Sequence, residues 1–457
     1  MDGLIPGTND GKRKWIYPLI RKGIFYKWRS AISYVYLILL FSGPFIRIGG
    51  QPLLLLNFID KQFVLLGQVF WPQDIFLFML ASLVFLVCIV VFTIAFGRIF
   101  CGWICPQTIF MEMVFRKIEE WIEGDAHKRK KLDVSPWTSE KVIKKTAKTV
   151  VFLLISFLIA NTFLAYIIGS DALIKIITEP VTLHWAGFIS IWFFTVIFYV
   201  VYSRIREQVC TLFCPYGRLQ GVMIDKHTLV VAYDDVRGEP RGKLDRKATA
   251  PSLKGDCVDC GLCVEVCPTG IDIRKGTQLE CINCTACIDV CDEVMDKIHK
   301  PRKLIGFFSE NMIHAKEKPS FTGRMMAYSA VIAVLVAVLS FFIFSRSDMD
   351  ITVMRQAGML YQQQPNNYIS NIYNAEIVNK ANKSRAVTIR PEDLDIKIKF
   401  IQAPGTIDKG SDVRTVFFVY IPASKIHELK TDLRLQLVTG NKIIQTVTTT
   451  FVGPLNN

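Results

Sequence analysis

Long apolar stretches divide the chain into segments that can cross a membrane and polar segments that cannot. A transmembrane helix needs about 20 predominantly apolar residues to cross the hydrocarbon core. Five stretches reach or approach that length and contain no Asp, Glu, Lys or Arg. The sequence therefore predicts five transmembrane helices, at residues 31–46, 75–96, 149–170, 181–203 and 325–345. Two shorter apolar stretches, 48–59 and 62–73, are interrupted by Asp60 and Lys61, and we expect them to be re-entrant or interfacial.

The last segment has a different pattern. Runs such as "VRTVFFVYI", "LRLQLVT" and "KIIQTVTTTFV" are rich in β-branched and aromatic residues, and turn-like stretches such as "DKGSD" and "TGN" separate them. This spacing predicts an immunoglobulin-like β-sandwich, although the Cys…Trp…Cys pattern of antibody domains is absent. We expect this domain to serve in docking or folding support, or as a static spacer.

Basic residues orient the predicted helices. The chain has 54 Lys and Arg against 40 Asp and Glu, and basic runs flank the apolar stretches at residues 11–15, 127–131 and 139–148. The connections around Asp60 and Asp171 are poor in Lys and Arg. The positive-inside rule places the amino terminus in the cytoplasm and everything after Arg346 outside. No recognition helix or alternating Arg and aromatic stripe indicates a nucleic acid partner, and no cleavable signal peptide is expected.

These patterns predict a fold class and an order of domains. The fold class is a polytopic α-helical membrane protein of five spans, with a cytoplasmic ferredoxin-like two-cluster insert and a C-terminal immunoglobulin-like β-sandwich. The predicted domains are a basic cytoplasmic leader (1–30), a four-span membrane core (31–224), a ferredoxin-type domain (225–324), the fifth span (325–345) and a periplasmic immunoglobulin-like domain (346–457).

Eight of the thirteen cysteines form a duplicated ferredoxin-type pattern. The first run reads C-x2-C-x2-C-x3-C-P, and the second repeats the spacing with Asp292 in place of the proline. In such pairs the fourth cysteine of each run ligates the other cluster. We therefore predict two 4Fe–4S clusters. The first cluster set is Cys257, Cys260, Cys263 and Cys291, and the second cluster set is Cys267, Cys281, Cys284 and Cys287. A pair of structural zinc sites is the alternative, which the duplicated spacing disfavours.

Two further cysteine pairs follow the second and fourth predicted spans, each as C-x3-C-P. A helix that continued through a pair would place both sulfurs on one face, whereas the proline favours an end or a kink at the second cysteine. If the two halves pack around a pseudo-axis, four sulfurs converge at the membrane edge. Such soft ligands suit Cu(I), zinc or a further iron–sulfur cluster, and four small buried hydrophobic residues are the alternative. We name Cys101, Cys105, Cys210 and Cys214 the thiol quartet.

Other features restrict the function classes. Because the predicted spans contain no charged residue, a pump or transporter is disfavoured. No glycine-rich dinucleotide motif or Walker motif is present, so electrons are expected from a protein partner or a quinol. Arg47 and Arg98 lie at span ends, where snorkelling is the ordinary explanation. Packing is the preferred explanation for Met111 and Met113, ahead of a copper–methionine site.

Taken together, the two C-x3-C-P pairs, the double ferredoxin run, the final span and the outer β-domain resemble the cytochrome c oxidase accessory protein family CcoG, also called FixG or RdxA. The resemblance implies a bacterial inner-membrane protein that helps to mature the cbb-type haem–copper oxidase, with oxidase assembly factors as partners. It implies a cupric reductase activity, in which Cu(II) is reduced to Cu(I). It also implies that the two cluster sets ligate 4Fe–4S clusters, while the thiol quartet supplies catalytic or metal-binding thiols for copper or an additional cluster.

Two other functions fit the same motifs. One is an electron conduit between a quinol and a periplasmic respiratory reductase. The other is a non-catalytic oxidase assembly scaffold, in which the clusters are structural. The sequence does not identify the electron donor.

Overall fold

A computed structural model provides the fold. It describes residues 15–57, 62–65, 67–70, 74–243, 254–318, 322–345, 347–356, 358, 360–380, 383–393, 395–426, 428–440 and 442–454. The basic residues at 11–14 and the sequence features at Asp60, Lys61 and Arg346 lie outside the described residues.

Helices dominate the first three quarters of the described chain. The α-helices are α1 (Ile24–Ser42), α2 (Ile75–Phe96), α3 (Ile99–Trp103), α4 (Pro106–Ile109), α5 (Arg116–Glu123), α6 (Ala126–Val134), α7 (Ser139–Ile168), α8 (Ser170–Thr178), α9 (Trp185–Val200), α10 (Pro215–Met223), α11 (Asp235–Gly238), α12 (Leu262–Glu265), α13 (Ala286–Lys297), α14 (Glu310–His314) and α15 (Gly323–Phe344). Single π-helical turns cover Phe110–Phe115, Val201–Ile205 and Val209–Phe213.

Strands are short before α15 and longer after it. They are β1 (Arg47–Ile48), β2 (Gln51–Pro52), β3 (Leu54–Asn57), β4 (Gln62–Leu65), β5 (Gln68–Phe70), β6 (Val230–Tyr233), β7 (Ile305–Phe308), β8 (Met349–Arg355), β9 (Gln362–Gln364), β10 (Tyr368–Asn379), β11 (Arg385–Ala386), β12 (Thr388–Pro391), β13 (Lys397–Phe400), β14 (Thr406–Ile407), β15 (Asp412–Pro422), β16 (Lys430–Thr439) and β17 (Lys442–Val452).

Among the described residues, five helices are long and apolar enough to cross a membrane, as predicted. They are Ile24–Ser42, Phe76–Phe96, Ser139–Ile168, Trp185–Ile205 and Gly323–Phe344. The first and third helices begin at Ile24 and Ser139, seven and ten residues before their predicted starts. Near the start of each helix a buried cationic side chain contacts protein, Arg29 in α1 and Lys141 in α7. In α7, the Thr138 side chain caps the first turn by accepting a hydrogen bond from the Lys141 N–H at 3.3 Å.

The described chain divides into two compact units. The first comprises Met1–Ile46, Leu55–Asn57 and Met79–Ala337, and the second comprises Arg47–Leu54, Phe58–Phe78 and Val338–Asn457. The connection between the first two spans therefore folds with the C-terminal domain. Where we expected re-entrant or interfacial apolar segments, the structure has antiparallel hairpins, β1 with β2 and β4 with β5.

The second unit has the predicted sandwich architecture. One antiparallel sheet has the order β13-β15-β10-β8 with β9 also paired to β10, and a second sheet has the order β12-β16-β17. Side chains from both sheets form a common core that includes Tyr373, Phe417, Leu435 and Phe451. A buried Lys380 side chain forms ion pairs with Asp74, which precedes α2, and with Asp350 on β8. This cation fixes the connection before the second span to the sandwich.

Candidate functional site

The two ferredoxin-type runs adopt the same backbone conformation. Asp259 and Asn283, each directly before the second cysteine of its run, both have φ of 52°. The residues directly after that cysteine, Gly261 and Thr285, have φ of 72° and 66°. A left-handed backbone conformation on both sides of a cysteine bends the chain around a common centre. Gly, Asn and Asp adopt this backbone conformation most easily. The sequence repeat is therefore a structural repeat. Thr285 adopts the conformation despite its β-branched side chain.

Two cavities contain the eight ferredoxin-type cysteines. One cavity is lined by all four members of the first cluster set, together with Tyr233 and Arg274. The other is lined by all four members of the second cluster set and also by Cys263. Each cavity thus combines three cysteines of one run with the fourth cysteine of the other run. The shared Cys263 places the two cavities side by side.

The donor set in these cavities fits 4Fe–4S clusters. Each cavity offers four sulfur atoms in largely apolar surroundings, which is the ligand chemistry of a cubane cluster. Burial raises the pKa of the Cys263 thiol to about 11 and that of Cys281 to about 12. Such thiols are protonated at neutral pH without a metal, so metal binding must release their protons.

The two C-x3-C-P pairs also form one repeated turn. The N–H of the first cysteine donates to the carbonyl three residues earlier, at 3.0 Å for Cys101 and 3.1 Å for Cys210. The N–H of the second donates to the carbonyl five residues earlier, at 3.0 Å for Cys105 and 2.8 Å for Cys214. Both second cysteines have extended backbones, and the following proline begins a new helix, α4 or α10. Of the two sequence alternatives, the proline-terminated helix is the one observed.

The structure brings the thiol quartet into one neighbourhood. Burial and the other quartet thiols raise the pKa of Cys101 to about 11 and that of Cys210 to about 12, while the nearby Arg98 charge acts in the opposite direction. Cys101 and Cys210 are buried, whereas Cys105 and Cys214 are partly exposed. Within the described ranges, no three His, Cys, Asp or Glu side chains are set closely enough to hold a metal ion as they stand. Binding therefore requires the thiols to move together or a larger group to span them.

The quartet touches the second cluster set directly. Cys101, Ile282 and Cys284 share one buried apolar cluster. At Gly102, in α3, an added Cβ atom would lie 2.5 Å from the Ile282 carbonyl oxygen and 2.9 Å from the Cys284 Cα atom. Only glycine permits this approach of α3 to the cysteine loop. The order in space is thus first cluster set, second cluster set, thiol quartet.

A polar network that we did not predict surrounds Cys101. The Cys101 Sγ–H donates to Gln220 Oε1 at 3.2 Å, and Arg98 Nε donates to the same oxygen at 3.1 Å. Gln220 Nε2 donates to Thr93 Oγ1 at 3.1 Å. Arg98 is only 3% exposed, so the snorkelling interpretation of this residue was wrong. A polar Gln two turns after the Cys210 pair was the available sequence signal.

The amino-terminal segment packs on the ferredoxin-type region. The Asp289 carboxylate accepts hydrogen bonds from the backbone N–H groups of Phe25 at 3.0 Å and Tyr26 at 2.8 Å. Arg29 Nη1 donates to the Cys284 carbonyl oxygen at 3.1 Å. Asp289 therefore caps α1 from a distant part of the chain. This contact explains why the first span begins inside the predicted leader.

A buried carboxylate ties the polar loop after α2 to the later spans. Glu119 on α5 accepts hydrogen bonds from Arg206 at 2.8 Å and from Arg129 at 3.0 Å, and pairs with Lys148 at 3.1 Å. Burial disfavours the charged form of Glu119, but the Arg206, Lys148 and Arg129 charges hold its pKa well below the usual range. These contacts join α5, α6, α7 and the end of the fourth span in the first unit.

Fold and site together define a membrane-bound iron–sulfur electron-transfer protein. Residues 205–310 match the family described as a 4Fe-4S dicluster domain, and residues 78–130 match a 4Fe-4S binding domain. Residues 339–454 match the family described as the IG-like fold at the C-terminal of FixG.

The chain belongs to the FixG/RdxA family. It is 31% identical to nitrogen fixation protein FixG of Rhizobium meliloti, covering 84% of this chain and 80% of that protein. It is 33% identical to protein RdxB of Cereibacter sphaeroides, covering 94% and 95%. A crystal structure of a FixG-related protein from Vibrio parahaemolyticus aligns at a TM-score of 0.21 and 15% identity, covering 24% of this chain and all of that one.

Proposed function

We propose that this protein transfers electrons to Cu(II) at the thiol quartet and releases Cu(I) for assembly of a cbb-type cytochrome c oxidase. The observation that carries the proposal is the contact at Gly102, which sets the quartet against Cys284 of the second cluster set. One Cu(II) ion takes up one electron and becomes Cu(I), while one reduced 4Fe–4S centre is oxidised by one electron. The electron comes from a reduced carrier protein or a quinol.

The two cluster sets and the thiol quartet have different roles in this reaction. The two cluster sets would each hold one 4Fe–4S cluster, which supplies a one-electron carrier when bound. The quartet thiolates bind copper and favour Cu(I), because soft sulfur ligands stabilise the softer ion. Cys105 and Cys214 are the more accessible pair and receive the ion, while Cys101 lies on the cluster side.

The two units support a definite orientation. The amino-terminal segment, the loop after α2 and the ferredoxin-type region all contact one another in the first unit. The connection between the first two spans folds instead with the C-terminal domain. We propose a bacterial inner membrane, with the amino terminus and clusters in the cytoplasm and the sandwich in the periplasm.

The double variant Cys210→Ser and Cys214→Ser tests the copper site. Purified anaerobically, it is expected to keep about eight irons per chain, as two cubane clusters require. After the clusters are reduced, Cu(II) is expected to reoxidise the wild-type clusters rapidly. The clusters of the double variant are expected to react much more slowly, because two of the four soft ligands are gone. Cluster absorbance in a stopped-flow instrument reports the rate.

Cys88→Ser is the matched control, because Cys88 lies within α2 and in neither cluster set nor the quartet. It is expected to react with Cu(II) like the wild type. Copper reduction at the normal rate in the double variant would contradict the assignment of the quartet.

One observation favours quinol oxidation as a second candidate. The residue before each second cysteine has a large exposed apolar side chain. These residues are Ile104 at 43% and Phe213 at 68% exposure, each eight residues beyond the end of a span. An apolar approach to the quartet suits a lipid-soluble quinol. Reconstituted protein that is reduced rapidly by ubiquinol or menaquinol and is indifferent to Cu(II) would favour this function over copper reduction.

A further inference from the structure

Arg98 is a buried cation beside the thiol quartet. Its Nε donates to Gln220 Oε1 at 3.1 Å, and its Nη1 donates to the Leu279 carbonyl oxygen. Both acceptors are neutral. Across the part of the chain that the structure describes, no carboxylate forms an ion pair with Arg98. A buried guanidinium without a counter-charge is strongly unfavourable, so the local structure calls for a negative group.

The other two sulfur sites also have an arginine, but theirs are compensated. Arg274 lines the cavity of the first cluster set and pairs with Asp272 at 2.8 Å and Asp259 at 2.5 Å. Arg29, beside Cys284 of the second cluster set, lies 3.9 Å from Glu112. Among the described residues, the arginine at the first cluster set thus pairs with two carboxylates, the arginine at the second with one, and the arginine at the quartet with none.

The structure holds the Arg98 charge between the two cysteine pairs. Gln220 Oε1 accepts hydrogen bonds from both Arg98 and Cys101, so one amide oxygen keeps the guanidinium next to that sulfur. At Gly217 an added Cβ atom would lie 2.6 Å from Arg98 Nη2 and 2.9 Å from the Cys210 carbonyl oxygen. The glycine leaves room for the guanidinium to reach the second pair. Arg98 therefore neighbours both halves of the quartet.

We propose that Arg98 is the counter-charge of the metal group held by the thiol quartet, and that it makes the quartet the site where an added electron is most stable. The inference rests on the proposed function in that the quartet binds a metal. Several thiolates around one metal carry a net negative charge, and reduction makes it more negative. A fixed cation stabilises the reduced form more than the oxidised form. Arg98 is a positioning residue, since it acts on the metal through the thiolates.

The test is Cu(I) affinity, measured on full-length, cluster-loaded protein by anaerobic competition with a Cu(I) chelator. Arg98→Gln is expected to weaken Cu(I) binding by about tenfold or more, the usual scale for losing a charged hydrogen-bonding partner. Arg98→Lys keeps the charge and is expected to retain most of the affinity. Arg218→Gln, an equal loss of charge at an exposed position of α10, is expected to bind Cu(I) like the wild type.

A second variant leaves Arg98 in place. Gln220→Glu preserves the side-chain shape but sets a carboxylate against the guanidinium, so the cation becomes compensated. It is expected to weaken Cu(I) binding in the same direction as Arg98→Gln. An iron content of about eight per chain shows in each variant that the protein is folded and loaded. Wild-type affinity in both Arg98→Gln and Gln220→Glu would overturn the inference.

Failure of the proposed function gives a different result. If the wild-type quartet binds no Cu(I) but carries additional iron, copper is not its ligand. The inference is then decided by potentiometric titration of the extra iron–sulfur signal. A lower potential in Arg98→Gln than in Arg218→Gln supports the role of Arg98, and equal potentials overturn it. A quartet that binds neither metal overturns both proposals.

Discussion

Gly102 is the residue at which the quartet meets the second cluster set. Replacing it by Ala places a Cβ atom 2.5 Å from the Ile282 carbonyl oxygen, closer than real contacts allow, so α3 must move away. We expect Gly102→Ala to keep both clusters and to slow their reoxidation by Cu(II) about tenfold or more, because misplacement by about 1 Å at a reacting site can cost about a hundredfold. Stopped-flow cluster absorbance measures the rate.

Gly323→Ala is the control for this change. An added Cβ atom at Gly323 meets nothing within 4 Å, so the substitution alters a glycine in a span without a clash. We expect wild-type reoxidation. Equal rates in the two alanine variants would show that the Gly102 contact is not the route of the electron.

At the residue scale, the spacing of the cysteines predicted which residues belong together. The spacing divides the eight cysteines into two sets of four, and each set lines its own cavity. The environment of the quartet did not follow from the sequence. Arg98 lies just after an apolar run. At such a position most arginine side chains extend to the aqueous interface. Its burial depends on Gln220, which is distant in the chain, and pattern analysis has no access to such pairs.

Among the helices, α1 depends on an acceptor supplied by α13. We expect Asp289→Ala to leave the Phe25 and Tyr26 N–H groups without partners and to destabilise the first turn of α1 by about 1–2 kcal/mol. Trypsin is then expected to cleave at Lys22 or Lys27 faster than in the wild type. Glu293→Ala, on the same helix, loses only a surface pair with Lys297 and is expected to leave the cleavage rate unchanged.

Glu119 is the centre of the ionic network that joins α5 to α6, α7 and the fourth span. We expect Glu119→Gln to lower the free energy of unfolding by about 3–5 kcal/mol, because Arg206, Arg129 and Lys148 lose their shared counter-charge. Thermal loss of cluster absorbance measures the effect. Glu120→Gln is the neighbouring control, expected to change little, since no ion pair of Glu120 is present among the described residues.

The Glu119 contribution also has a defined pH dependence. Its pKa is lower in the folded protein than in the unfolded chain. The stabilisation is therefore complete above the unfolded value of about 4.3 and declines as pH falls further. We expect the wild type and Glu119→Gln to differ by a constant amount above about pH 5, and the difference to shrink gradually as the pH falls below about 4.3 towards the much lower folded-state pKa. A difference that does not shrink at low pH would contradict the assigned ion pairs.

At the level of elements, apolar length predicted which helices cross and failed at their ends. The starts of α1 and α7 contain Lys27, Arg29, Lys141 and Lys145, which read as leader or loop when only hydropathy is considered. In the structure Arg29, Lys141 and Lys145 have protein partners, so the helices continue. The segment between the first two spans was misjudged for a related reason. Its apolar residues lie in β-hairpins. Hydropathy alone does not distinguish such hairpins from segments that enter the membrane.

For the whole molecule, the proposed orientation makes a direct prediction. Ser424 lies in the C-terminal sandwich and Ala315 follows α14 in the first unit, and both are exposed. We expect a membrane-impermeant maleimide to label Ser424→Cys in intact spheroplasts and to label Ala315→Cys only after lysis. The wild-type chain, with its thirteen cysteines, is the background control. Labelling of Ala315→Cys in intact spheroplasts would contradict the proposed topology. It would also contradict the proposal that copper is reduced on the cytoplasmic side.

The Asp289 cap has a consequence for how the protein is made. Asp289 follows Phe25 by 264 residues, so a ribosome delivers the start of the first span long before the carboxylate that caps it. Until then the amino-terminal stretch has no docking surface and stays open to proteases. A chain whose cluster-binding region fails to fold keeps that stretch exposed. We therefore expect copies whose cluster-binding region has not folded to be cleaved in the amino-terminal segment more readily than folded copies.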